Sequence, residues 1–215
     1  MIELLHTDCM AYMKTLPDKA FDLAIVDPPY GIKQPAFRKE SANKACKPTD
    51  YHNAVFNQEA PSQSYFDELR RVSRNYIVWG GNYYNQFLDP GMKWIFWDKQ
   101  TEDTQWGDGE LAATSLRGAI TKYKFAWNGM IQGDMKNKET RIHPTQKPVK
   151  LYEWLLKNYA KEGDRILDTH LGSGSSAIAA HYAGFDFVGC ELDEDYYKAA
   201  CERFDRETRQ QALAI

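Results

Sequence analysis

Apolar positions along the chain alternate between two periods. Short runs at Ile2–His6, Leu23–Val26, Tyr76–Trp79, Trp94–Trp97, Arg165–Asp168 and Phe185–Glu191 have the length and residue types of buried strands. Between them the spacing becomes helical. Cys9–Leu16 is closed by Pro17, and Pro61–Val72 lines up Tyr65, Phe66, Leu69 and Val72. Tyr83–Leu88 predicts a short helix. Pro148 opens a helix running to about Lys161, with Leu151, Trp154, Leu155 and Tyr159 as a core stripe. Ser175–Ala183 and Asp193–Glu207 complete the set, with a frayed tail from Thr208. From Asp98 to Asn137 the pattern predicts a loop, a strand near Lys122–Trp127 and a turn at Asn128-Gly129. Residues 31–60 show no period, and a stretch of that length inside a compact domain is usually functional or disordered.

Strands alternating with helices predict an α/β fold: a mostly parallel, twisted sheet with helices on both faces. At 215 residues, a single domain with a proper core accommodates all of it. The 43% hydrophobic and 27% charged content is that of an ordinary soluble protein, and no apolar run reaches the length of a membrane span. The first residues lack a basic-then-apolar signal, and Cys9, Cys46, Cys190 and Cys201 lack Cys-x-x-Cys spacing. Neither a metal site nor a disulfide framework is expected, and a reduced cytoplasmic setting fits.

Net charge is −3, yet its distribution is uneven. Lys33, Arg38, Lys39, Lys44 and Lys47 face only Glu40 and Asp50 between residues 33 and 50. Arg117, Lys122, Lys124, Lys136, Lys138, Arg141, Lys147 and Lys150 face only Asp134 and Glu139 between 117 and 150. Such asymmetry is compatible with a phosphate-facing surface; taken singly, each run is more often a solvated face.

Two stretches carry chemistry. The run Leu23-Ala24-Ile25-Val26 stops at Asp27-Pro28-Pro29-Tyr30, followed by Gly31. Each proline removes a backbone N–H and holds its predecessor extended, leaving a stiff polar corner beyond a strand's C-terminal end, where ligands of open α/β sheets bind. A carboxylate and the carbonyl of a residue before proline can both accept hydrogen bonds from one exocyclic amino group, and Tyr30 offers a flat ring. The second stretch, Asp168-Thr169-His170-Leu171-Gly172-Ser173-Gly174-Ser175, joins a strand to a helix through a glycine turn. The next strand ends in Glu191-Leu192, where an acid can hold the hydroxyls of a ribose. Together they predict a nucleoside-containing cofactor. The absence of Gly-x-Gly-x-x-Gly argues against NAD.

The pair of stretches resembles the amino-methyltransferases of DNA, over nearly the whole chain. The resemblance implies a Rossmann-like fold, S-adenosyl-L-methionine as cofactor, and Asp27, Pro28, Pro29 and Tyr30 as the catalytic motif. Its cofactor-binding positions would be Asp8, Cys9, Asp27, Asp168, Gly172, Ser173, Gly174, Glu191 and Leu192. The order, catalytic motif before glycine motif, is similar to the beta group. His143, Pro144, Thr145, Gln146 and Lys147, followed by Pro148, match that group's segment supporting the methionine end of the cofactor. Thr169 and His170 stand where the family usually has Pro and Phe, which alters the local polarity.

The expected reaction is transfer of a methyl group to adenine N6, with Asp27 and the Pro28 carbonyl accepting the two N–H groups of a base flipped out of double-stranded DNA onto Tyr30. Asp rather than Ser before Pro-Pro-Tyr favours adenine over cytosine N4 in this family. The rivals are N4-cytosine, RNA or a protein amide as acceptor, and a non-catalytic nucleic-acid-binding module on the same scaffold. Residues 31–60 and 98–140 are the candidate recognition loops. Tyr51, Trp106 and Trp127 are aromatic residues for which core packing is the simpler reading. Oligomeric state is open, a homodimer being one option.

Overall fold

The computed structural model describes residues 1–32, 59–89, 93–101, 107–128 and 131–209. Most of the basic loop at 31–60, with Tyr51, lies outside these residues, as do Trp106 and Gly129. Ten strands are described: β1 (Ile2–His6), β2 (Phe21–Val26), β3 (Ser73–Trp79), β4 (Trp94–Asp98), β5 (Gly109–Thr114), β6 (Thr121–Lys124), β7 (Trp127–Asn128), β8 (Ile131–Gln132), β9 (Arg165–Asp168) and β10 (Asp186–Glu191). Five α-helices accompany them: α1 (Cys9–Lys14), α2 (Gln63–Val72), α3 (Val149–Tyr159), α4 (Ser175–Ala183) and α5 (Glu194–Arg209).

The main sheet has eight strands in the order β1-β10-β9-β2-β3-β5-β4-β6. All run parallel except β5, which is antiparallel to both β3 and β4. The α/β expectation therefore holds. Alternation along each strand feeds two cores. Leu23, Ile25, Ile77, Trp79, Ile166 and Phe187 pack on one face with α3, α4 and Ala200 of α5. Ala24, Val26, Tyr76, Val78, Leu167 and Val188 pack on the other with Met13 of α1 and Tyr65, Phe66, Leu69 and Val72 of α2. Each core strand is buried on both sides, which is why it reads as an unbroken apolar run.

Three local differences from the sequence pattern have physical causes. Residues 83–88 do not form one helix; two 3-10 turns, Gly81–Tyr83 and Asn85–Phe87, follow Gly80, which has φ +69°. Gly109–Thr114, within the expected loop, is a central strand whose partners are distant in sequence. The stretch 122–127 divides, its first part joining the main sheet as β6 and Trp127 opening the small β7–β8 hairpin. Trp127 itself is buried, in line with the core reading. Among the described residues no helix is long and apolar enough to cross a membrane.

Candidate active site

Four neighbouring parallel strands each lead into an acid at the same sheet edge. Asp8 follows β1, Glu191 ends β10, Asp168 ends β9 and Asp27 follows β2. Asp8 caps α1, its carboxylate accepting from the Ala11 N–H at 2.7 Å. Cys9, first residue of that helix, has its thiol pushed up to about 12, chiefly by burial and then by Asp8. Glu191 holds the glycine turn, accepting from Gly172 N at 2.8 Å and from Asp193 N at 3.0 Å. Leu192 beside it is 68% exposed. Gly172 has φ +52°, a conformation that a side chain would strain, and a Cβ there would come within 3.7 Å of the His143 ring.

Asp168 is buried, accepting from Ser176 Oγ at 2.6 Å and His170 N at 3.0 Å. Burial still pushes its carboxyl up to about 7. The Thr169-His170 departure is accommodated by a side-chain relay: Tyr65 Oη and Thr169 Oγ1 lie 2.6 Å apart, and Thr169 Oγ1 is 2.9 Å from His170 Nδ1. Burial pushes the His170 imidazole down to about 4, leaving it neutral near pH 7.

At the proline corner, Asp27 Oδ1 accepts from the Tyr30 hydroxyl at 2.7 Å, and Oδ2 accepts from Lys147 Nζ. Tyr84, fully buried, donates to the Pro28 carbonyl at 2.8 Å, with the Pro29 carbonyl at 2.5 Å. Nothing in the sequence pattern marks Tyr84, since its neighbours read as an ordinary short helix. Tyr30 is not the open platform its sequence position suggests. Its ring stacks on Tyr83 with centroids 5.1 Å apart, and Tyr83 is 45% exposed. Gly80 makes room for the arrangement, because a Cβ there would fall 2.3 Å from the Tyr30 ring.

The segment at 143–147 bridges the two stretches. His143 lies over Gly172 and against Tyr196, ring centroids 4.3 Å apart; burial, then Lys147, hold it down at about 4. Thr145 N and Oγ1 both approach His143 Nδ1, at 3.3 and 3.1 Å. Pro144 is part-buried between them. Gln146 turns back on its own loop, accepting from Ile142 N at 2.9 Å and donating to Thr140 O at 3.3 Å. Lys147, counted by sequence with the exposed basic run, is instead buried against Asp27. Arg117, Lys122, Lys124, Lys136, Lys138 and Lys150 of that run are exposed, Lys122 pairing with Asp98 at 2.8 Å.

Sequence reasoning also missed Glu110 and Lys99, which join the cluster around Lys147, and Arg203 with Glu139. Arg203 is fully buried on α5 and donates to Ser173 O at 3.0 Å, Ser175 Oγ at 2.9 Å and Glu139 Oε2 at 2.7 Å. Glu139 in turn accepts from Val149 N at 2.9 Å, tying the glycine turn to the start of α3.

The corner, the glycine turn and the bridging segment thus share one edge of the sheet. A family model for DNA methylases of the N6/N4 type matches residues 65–202. The chain belongs to that DNA amino-methyltransferase family. Among curated relatives, the type II methyltransferase M2.DpnII of Streptococcus pneumoniae is 23% identical, covering 95% of this chain and 90% of the relative. M.HpaI of Haemophilus parainfluenzae, another type II methyltransferase, is 27% identical over 95% of this chain and 74% of its own length. Solved folds agree. M1.HpyAVI, crystallised with S-adenosylmethionine, superposes with a TM-score of 0.61 at 19% identity, covering 94% of this chain and all (100%) of that one. The cytosine-N4-specific PvuII DNA methyltransferase superposes at 0.58 with 12% identity, covering 97% and 90%.

Proposed function

We propose that this family member transfers a methyl group from S-adenosylmethionine to the exocyclic N6 of an adenine flipped out of duplex DNA. The observation that carries the reading is a part-buried carboxylate, Asp27, held just beyond a rigid strand end on the same edge as a cationic-ligand cradle. That cradle fits the cofactor chemically: the acids Asp8, Asp168 and Glu191 stand at the strand ends around the glycine turn, and burial pushes the carboxyls of Asp168 and Glu191 up. A bound cation relieves that burden. Asp168, Gly172, Ser173 and Gly174 would hold the methionine end together with His143, while Glu191 with Asp8, Cys9 and Leu192 would take the nucleoside. Bound there, S-adenosylmethionine supplies an electrophilic methyl group on a positively charged sulfur.

The chain's own residues then do positioning work. Adenine N6 is a weak nucleophile because its lone pair is delocalised into the ring. Asp27 accepting one N–H and the Pro28 carbonyl the other would draw the nitrogen toward tetrahedral geometry and free that lone pair. Tyr84 fixes the direction of the Pro28 and Pro29 carbonyls, so these dipoles need no reorganisation during reaction. Burial raises the Asp27 carboxyl, against the pull of Lys147, which suits it to receive the proton the amino group sheds. Tyr83, exposed and stacked on Tyr30, would offer the flipped base the open ring face that Tyr30 does not. A cleft of about 340 Å³ next to the corner, lined by Tyr30, Gly80, Tyr83, Phe96 and Glu110, gives the base an entry. The exposed lysines of 117–150 would meet phosphate and help offset the few kcal/mol of unstacking.

Mass analysis of nucleosides from unmethylated genomic DNA incubated with protein and cofactor tests the reading. N6-methyladenine is the expected product; N4-methylcytosine would move the target to cytosine, and absence of any methylated base would remove the activity. Asp before Pro-Pro-Tyr supports adenine.

Cofactor affinity should also depend on pH. Asp168 in the free protein loses its proton only near pH 7, and a cation favours the ionised form. Binding therefore releases a proton below that pH, and affinity rises about tenfold between pH 6 and pH 8 by linkage. Calorimetry in buffers of different ionisation enthalpy would register the released proton. Asp168→Asn should flatten the pH dependence; a pH-independent wild-type affinity would contradict the placement of the cation beside Asp168.

A further inference from the structure

Lys147 Nζ is enclosed by three partners. It donates to Asp27 Oδ2, lies 3.0 Å from Glu110 Oε2 and 3.2 Å from the Tyr30 hydroxyl, and its side chain is 3% exposed. Glu110 is the second residue of β5, the reversed strand, and its register opposite Trp97 brings it to the edge where the parallel strands end. Its other oxygen, Oε1, accepts from Lys99 Nζ. Two carboxylates and two ammonium groups thus form a neutral cluster with Asp27 at one end. Both oxygens of Asp27 are already engaged, one by Tyr30 and one by Lys147.

An arriving amino group is uncharged, and it competes for Asp27 Oδ2 against a full ammonium charge in a buried site. Unaided, it loses, because charge-assisted hydrogen bonds are roughly twice as strong as neutral ones. Among the described residues the ammonium has one other carboxylate within reach. We propose that Glu110 is a positioning residue that takes the Lys147 ammonium off Asp27, so that the target amino group can occupy the oxygen Lys147 leaves. The inference rests on the methyl-transfer reading above and adds to it a residue that never touches the reacting atoms. The charge balance supports it. Burial raises both carboxyls, but Lys147 and Lys99 together outweigh it at Glu110 and hold that group well below the usual carboxylate range, whereas Asp27 stays raised. Glu110 is the firmer anion, and the better resting place for the ammonium.

The arrangement predicts an unusual pair of variants. Glu110→Gln keeps the shape and leaves Asp27 as the only carboxylate for Lys147 among the described residues, locking the amino group out. Initial rates of methyl transfer to unmethylated genomic DNA should fall ten- to a hundredfold, with cofactor affinity by calorimetry unchanged within about threefold. Adding Lys147→Met to that background removes the competitor, so the double variant should be faster than Glu110→Gln alone. Because losing Lys147 also restores the charge balance of the cluster, thermal unfolding is followed alongside: the rate should recover by more than any change in Tm explains, and a rate that merely tracks Tm overturns the inference. Lys147→Gln repeats the test with a polar side chain should the methionine variant fail to fold. A double variant no faster than the single, or a Glu110→Gln rate equal to wild type, overturns the inference while leaving methyl transfer intact. A wild-type protein that methylates nothing overturns both.

Discussion

Asp27→Ala should reduce methyl transfer by at least about 10²–10³-fold, the range seen when a preorganised hydrogen-bonding group aimed at developing charge is removed. S-adenosylmethionine affinity should change little. The separation follows from the layout. Asp27 follows β2, whereas the glycine turn is held by Glu191 and Asp168 on β10 and β9, through hydrogen bonds in which Asp27 takes no part. The fold should survive, because the Lys147 ammonium keeps Glu110 at 3.0 Å and is not left buried without an anion. Single-turnover transfer and calorimetry on the same preparation make the comparison. If affinity collapsed along with the rate, Asp27 would be a cofactor contact, and the amino group would need another acceptor. Asp27→Asn sharpens the result: it keeps the shape, loses the charge, and turns one oxygen into a donor that opposes an N–H.

What the sequence made legible, and what it concealed, divides along physical lines. The corner at Asp27–Tyr30 was visible because its constraints are local: an apolar strand, then two residues without backbone N–H groups. Glycine positions at 172 and 174 were visible for the same reason, and both have positive φ. The strand Gly109–Thr114 was hidden because Gly-Glu-Leu-Ala-Ala-Thr has weak strand propensity, and its pairing to residues 77–79 and 94–98 supplies what propensity does not. Missing that strand meant missing Glu110. Lys147 was legible as part of a family segment, yet its contact with Asp27 spans 120 positions and leaves no periodic trace. A charged residue in sequence looks the same whether it faces water or fills a site; only the fold separates the exposed Lys136 and Lys138 from the buried Lys147.

Arg203 shows the same concealment with the larger consequence for stability. On α5 it sits among acids and bases that read as a solvated helix face, but its side chain is 0% exposed. Its guanidinium donates to the Ser173 carbonyl, to Ser175 Oγ and to Glu139, and Nε reaches Glu207 Oε1 at 3.3 Å. Replacing it by Met leaves Glu139 part-buried without its cation and the Ser173 carbonyl without its donor. Breaking one side of a buried pair costs about 3–5 kcal/mol. For a chain of this size that corresponds to a Tm lower by roughly 6–20 °C. Glu139→Gln in the same background should recover much of the loss, since it removes the stranded charge while keeping an oxygen for Val149 N. Differential scanning calorimetry of wild type, Arg203→Met and the double variant resolves the cycle. Because Ser173 belongs to the glycine turn, the single variant should also bind S-adenosylmethionine more weakly at temperatures where it is still folded. An Arg203→Met protein as stable as wild type would mean that the buried guanidinium contributes no net attraction, and that Glu191 and Asp168 hold the turn without it.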